Sequence, residues 1–204
     1  ALFYIKQVNQ LEAQLKEHAV RIAEKKHADL DYNAMLVQKN KLVITEQNSE
    51  ILNLVHAHAF INRSDSDSAK EGHRFINKIG EDEIIVKSTS LNYRNPLNKP
   101  DTFEEEALRE FEKRLSEVRG QPTEKSMDEI LFGLWVWGKS EIEEESVYRF
   151  VYPLLAESQC LYCHGEREDA PRFIDETYSN GFGYNKGDLI GAVSLILPAS
   201  YVDG

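Results

Sequence analysis

Val147-Tyr148-Arg149-Phe150-Val151-Tyr152-Pro153-Leu154-Leu155 is a nine-residue run dominated by β-branched and aromatic side chains, the composition of a strand on a sheet with a packed face. Ile130 to Trp137 is a run of the same kind upstream, and Gly138-Lys139-Ser140 after it reads as the turn of a hairpin. Leu189 to Leu197 is a further strong strand, and Ile84 to Lys87 a shorter one. The strands are not separated by regularly alternating helices. Helical patterns come first and strands later, which predicts an α+β fold with an antiparallel sheet.

The helical part begins at the N-terminus. From Tyr4 a 4-3 spacing runs through Val8, Leu11, Leu15, His18 and Ile22, and no Gly or Pro occurs before Gly72. These signals predict a first helix of up to ~40 residues. Its seam has two uses open to it: packing on its own domain or pairing with a second copy. The opening Ala1-Leu2-Phe3-Tyr4-Ile5 reads either as an ordinary helix start or as the outer end of a membrane anchor. Residues Ser49 to Asn62 read as a second helix, with Ile51, Leu54, Val55 and His58 on one side, and 68–79 as a short third one. Asn92 to Asp101 is a loop holding Pro96 and Pro100. Thr102 and Glu105, three apart, have the spacing of a capping box. Phe103, Ala107, Leu108, Phe111, Leu115 and Val118 then form one apolar helix face, ended by Gly120. The expected organisation is a helical stalk over 1–30 next to a membrane and one domain over 31–204.

The chain has 204 residues, 41% of them apolar and 29% charged, with 24 basic against 35 acidic side chains. That is a globular composition. A net charge of −11 argues against a partner read through its phosphates, so no nucleic acid is expected. Two cysteines are too few for a disulfide scaffold.

Both cysteines lie in Cys160-Leu161-Tyr162-Cys163-His164, the Cys-x-x-Cys-His sequence of c-type haem attachment. Thiols three residues apart stand on one side of a helical turn and both reach the vinyl groups of one porphyrin. The adjoining histidine then offers its imidazole to the iron. Three other uses compete. A redox dithiol expects a βαβ setting, a zinc site needs four ligands, and a plain disulfide has no need of His164. Haem c, with its iron, is the expected cofactor. Thioether attachment takes place outside the bacterial cytoplasm, so an exported chain is expected.

The polar segment 165–188 can wrap a porphyrin edge, and Trp135 and Trp137 are either core residues or ring contacts. Arg63, Arg74 and Arg94 are candidates to pair with haem propionates. For the second axial position the candidates are Met35, His56, His58, His73 and Met127. Residues two apart face different sides of a helix, so at most one of His56 and His58 addresses the iron.

Ser88 to Asp101 with Phe103-Glu104 and Ala107-Leu108 resembles a signature of periplasmic c-haem-binding sensor domains. So do Tyr152-Pro153-Leu154 ahead of Cys160–Gly165, and Gly183-Tyr184 through Gly187-Asp188 and Gly191. The resemblance covers about residues 27–198. It implies a PAS-like fold around the haem, on the outer side of bacterial histidine kinases, cyclases or chemoreceptors. Ile61-Asn62-Arg63 stands where many members carry Met-Thr-Arg, which places His58 one turn before that stretch. The expectation is a non-enzymatic sensor on the periplasmic side of the inner membrane. Cys160, Cys163, Arg63 and Arg94 would hold the haem, and His164, with His58 or Met35, would ligate the iron. A diatomic gas or a redox partner would supply the signal, and the N-terminal helix would join a homodimer and tether it to the membrane. The rival from another class is a c-type cytochrome that only carries electrons; a haem enzyme ranks last.

Overall fold

The longest strand, β4 (Glu145–Leu155), contains the run that opens the sequence analysis. The computed structural model describes residues 2–39, 41, 74–79, 82–119 and 133–203. In chain order these form α1 (Leu2–Gln38), β1 (Arg74–Ile79), β2 (Asp82–Thr89), α2 (Thr102–Arg119), β3 (Val136–Ile142), β4, the short α3 (Leu161–His164) and α4 (Arg172–Thr177), β5 (Leu189–Pro198) and α5 (Ser200–Asp203). The described strands make one antiparallel sheet in the order β1-β2-β5-β4-β3. The fold is α+β, a long N-terminal helix followed by an antiparallel sheet, as the order of helical and strand patterns predicts.

Strand periodicity decides which helix covers which face. Ile84 and Val86 of β2, Tyr148 and Phe150 of β4, and Val193, Leu195 and Leu197 of β5 pack with Leu15, Ala19, Ile22 and Ala23 of α1. The alternate residues Val151, Leu155 and Ala192 pack with Ala107, Leu108, Phe111 and Leu115 of α2. The sheet is thus covered by α1 on one side and α2 on the other. Trp135 and Trp137 belong to the α1 side, where Trp137 stacks on Tyr148 at 5.0 Å and donates to Glu12 Oε1 at 3.0 Å.

The α1 seam is spent on the chain's own sheet over its middle. Ala19 is fully buried and His18 exposed, so the buried stripe runs Leu15-Ala19-Ile22-Ala23, with Ala19 in the place the seam gives to His18. Residues 1–30 and 31–204 therefore share one core. Tyr4 and Ile5 at the start of α1 are exposed. Among the described residues no helix is long and apolar enough to cross a membrane.

Three local expectations change. Residues 74–79 are not helical; they form β1, each residue paired with β2 from Arg74 opposite Lys87 to Ile79 opposite Asp82. The β3–β4 turn is Glu143-Glu144, both with positive φ (51° and 70°), the conformation of a two-residue hairpin turn. Gly138 lies inside β3 instead, where a Cβ would stand 2.9 Å from the Phe103 ring; space, not turning, calls for glycine there. The α2 capping box begins one residue earlier than predicted. Asp101 Oδ1 accepts from the Glu104 N–H at 2.9 Å, and Glu104 Oε2 accepts from the Asp101 N–H at 3.0 Å. Glu104 is only 1% exposed because Lys87 Nζ meets it at 2.7 Å, with Arg149 beside it and 2.7 Å from Asp101. The expected helix over 49–62 lies outside the described residues.

Candidate functional site

After β4 the chain makes a single helical turn. The backbone N–H groups of Cys163 and His164 both donate to the Cys160 carbonyl, at 3.2 and 3.0 Å. That turn puts Cys160, Cys163 and His164 on one side, at i, i+3 and i+4. Gly165 closes it, donating to the Leu161 carbonyl at 2.8 Å. A Cβ on Gly165 would lie 2.6 Å from that same carbonyl oxygen, so a residue with a side chain would push the turn open.

The segment after α4 folds back over this turn. Gly183 N–H donates to the Gly165 carbonyl at 2.8 Å and Tyr184 N–H to the His164 carbonyl at 3.0 Å. Gly181, at φ +77°, aims its own carbonyl at the histidine ring, 2.8 Å from His164 Nδ1. A carbonyl only accepts, so Nδ1 carries the proton and Nε2 holds the ring's lone pair. The loop thus fixes the tautomer a metal-ligating histidine needs.

Arg94 locks these parts together. Its Nε donates to the Asn180 carbonyl at 3.0 Å, and Nη2 donates to the carbonyls of Cys163 at 2.5 Å and Gly181 at 2.9 Å. The guanidinium also lies 4.4 Å from the Phe182 ring centre. Burial pushes its pKa down to about 10, against the attraction of nearby groups. The sequence assigns Arg94 to a propionate; the geometry makes it the brace between the Cys-x-x-Cys-His turn and the loop that orients His164.

These elements wall a cavity of about 200 Å³. Cys160, Cys163 and His164 form one part of its lining, with Arg94 beside them. Leu154, Leu155, Ile174 and Ile190 give it an apolar surface, and Ser90, Asn92 and Tyr184 a polar one. Tyr184 bonds through its side chain to Ser90 and Asn92, yet burial holds its hydroxyl above the ordinary range. Its ring meets that of His164 edge-on, centres 6.2 Å apart.

The thiols sit in this lining as neutral groups. Burial raises the pKa of Cys160, and Asp31 adds to the rise. Burial pushes Cys163 up to about 11 although Arg94 opposes it. A redox dithiol depends on a depressed thiol pKa, so this environment is the wrong one for that chemistry. Among the described residues no three His, Cys, Asp or Glu side chains are grouped to hold a bare metal ion. Two half-buried thiols and a tautomer-fixed imidazole on the wall of a largely apolar cleft are a lining that a porphyrin fits.

In sequence, the chain matches the Tll0287-like family over residues 8–198. The chain belongs to the Tll0287-like family. Comparison with the curated proteins gives no match. Among solved structures, the crystal structure of the cyanobacterial heme-protein Tll0287 is similar at 24% identity and a TM-score of 0.41. That match covers 56% of this chain and 61% of the other.

Within this Tll0287-like domain, Cys160, Cys163, His164 and Arg94 come together as the sequence reading expects. Met35 does not join them. It is half-buried on α1, and its neighbours Ala34 and Val37 line the cavity while Met35 does not. His58 and Arg63 lie outside the described residues, as do His56, His73 and Met127. Sequence reasoning missed the α1 wall: His27, Leu30, Asp31 and Ala34 all line the cavity. Their i, i+3, i+4, i+7 spacing was the available signal.

Proposed function

We propose that this chain is an extracytoplasmic sensor domain carrying covalent haem c, which reports redox state or a diatomic gas. One observation carries the reading: both thiols of Cys160-Leu161-Tyr162-Cys163-His164 and the following imidazole line one cavity, with His164 Nδ1 held by the Gly181 carbonyl. The namesake of the family is described as a heme-protein, and the same cofactor is assigned here on the motif.

When bound, the haem supplies an iron that changes oxidation state or takes up a small ligand. The chain's part is to anchor, orient and enclose it. Cys160 and Cys163 would hold the haem through thioethers, their S–H groups adding across its two vinyl groups. His164 offers Nε2 to the iron, and the Nδ1–H bond to Gly181 keeps the ring from turning away. Leu154, Leu155, Ile174 and Ile190 exclude water from the ring, which strengthens the field of every polar group that remains. The finer context is proposed with it: a periplasmic location, a membrane tether and a homodimer through the N-terminal helix, for which Tyr4 and Ile5 leave apolar surface at its start.

The test is covalent attachment. Protein made together with a c-haem maturation system should keep its Soret band after acid-acetone extraction, and its mass should exceed the bare chain by one haem. Cys160→Ala with Cys163→Ala should lose both signatures. A wild-type mass equal to the bare chain ends the reading. Carbon monoxide binding by the ferrous protein would then favour a sensor over an electron carrier, which holds both axial positions shut.

A further inference from the structure

The α1 wall of the cavity carries an imidazole that the motif does not account for. His27 lines the same cavity as Cys160, Cys163 and His164, and among the described residues His27 and His164 are the two histidines in its lining. The His27 ring lies 6.2 Å from that of Tyr152 on β4. Its Nε2 stands 3.5 Å from Asp31 Oδ2 one turn along α1, both side chains largely buried. Asp31 in turn is near enough to Cys160 for its charge to act on that thiol. The α1 stripe and the Cys-x-x-Cys-His turn therefore border one space.

We propose that His27 is the second axial ligand of the haem iron, an inference that rests on the covalent-haem reading above. A porphyrin tethered at Cys160 and Cys163 has one face committed to His164, and its other face needs a donor from a different wall. Imidazole is a strong donor for haem iron, and α1 is the described element that brings one to this cavity. Asp31 is placed to orient the His27 ring, as a carboxylate beside a ligating histidine does. A bond to His27 also ties the iron to the helix whose Leu15, Ala19, Ile22 and Ala23 are embedded in the core. Loss of that bond would therefore act on α1 itself, the helix that packs on the sheet.

The experiment compares haem-loaded wild type with His27→Ala, His27→Met and Met35→Leu by mass, absorption and electron paramagnetic resonance. Wild type is expected to be six-coordinate and low-spin. His27→Ala should keep its covalent haem and turn predominantly high-spin, recover the low-spin spectrum on adding imidazole, and bind carbon monoxide faster. His27→Met, which refills the space, should replace the bis-imidazole signature with a thioether one. Met35→Leu should match wild type. Haem-loaded His27→Ala and His27→Met with unchanged wild-type spectra overturn the assignment of His27 while leaving covalent haem standing. A haem-free wild type would remove the earlier reading instead.

Discussion

Arg94 distinguishes a brace from a propionate partner, and the two roles predict different losses. Replacing it with alanine removes three hydrogen bonds from a charged donor, those to the carbonyls of Asn180, Cys163 and Gly181. Bonds of that kind are worth roughly 1.5–3 kcal/mol each, or about 5–9 kcal/mol gross. Burying the guanidinium works against this. Its pKa, pushed down to about 10 from 12.5, corresponds to a cost of about 3 kcal/mol. The difference leaves a net contribution of about 2–6 kcal/mol, concentrated on the turn and loop that carry His164. Urea unfolding of the haem-loaded protein can be followed at the Soret band for the site and by far-ultraviolet circular dichroism for helix and sheet. Arg94→Ala should lower the unfolding free energy read at the Soret band by that amount and separate its midpoint from the dichroism midpoint. Arg94→Lys should recover little, because one ammonium cannot reach three carbonyls. A loss under about 1 kcal/mol in Arg94→Ala, together with a changed reduction potential, would refute the brace and restore the propionate role.

Two further outcomes concern the scaffold. Lys26 is fully buried on α1, and burial drops its pKa to about 8 despite the opposing attraction of Asp29. Between pH 8 and the unfolded value of 10.5 the unfolded chain binds the extra proton, so stability should rise with pH in that window by about 3 kcal/mol. Lys26→Met should flatten the slope; urea midpoints that fall over that range in wild type would contradict the account. In the β3–β4 hairpin, Glu143 and Glu144 both hold positive φ, which costs side-chain-bearing residues about 1–2 kcal/mol each. Glu143→Asn with Glu144→Gly should therefore raise the thermal midpoint, and an unchanged midpoint would count against strain at that turn.

The sheet was legible because β4 and β5 are long, apolar and buried on both faces, so their own composition outweighs context. The turn was misplaced because Gly138 looks like punctuation. Its actual constraint is the Phe103 ring, a contact between residues 35 apart that no local pattern exposes. The residues of β1 carry both helical and strand propensity, and pairing with β2 decided the matter. In the capping box, Asp101 and Glu104 have the same three-residue spacing as Thr102 and Glu105. What selects the earlier pair is burial: Lys87 and Arg149 compensate Glu104 inside the domain, and nothing local marks it for that position.

The site divides along a similar line. Cys160, Cys163 and His164 belong to one turn, so their relation is contained in five consecutive residues and can be read directly. Arg94 is named by the sequence for a propionate, but its bonds to backbone carbonyls leave no mark in composition and are seen only in the fold. The second axial position shows the limit most plainly. Local context points to Met35 and to His58, which lies outside the described residues, while His27 stands in a run of charges, Glu24-Lys25-Lys26-His27, that reads as a solvated face. Yet Lys26 is buried and His27 lines the cavity. One helix turns two faces inward here, the Leu15–Ala23 stripe toward the sheet and the His27–Ala34 stripe toward the cavity. A single-seam reading of α1 cannot contain both. Because α1 serves at once as core and cavity wall, a change at His27 is felt by the fold itself.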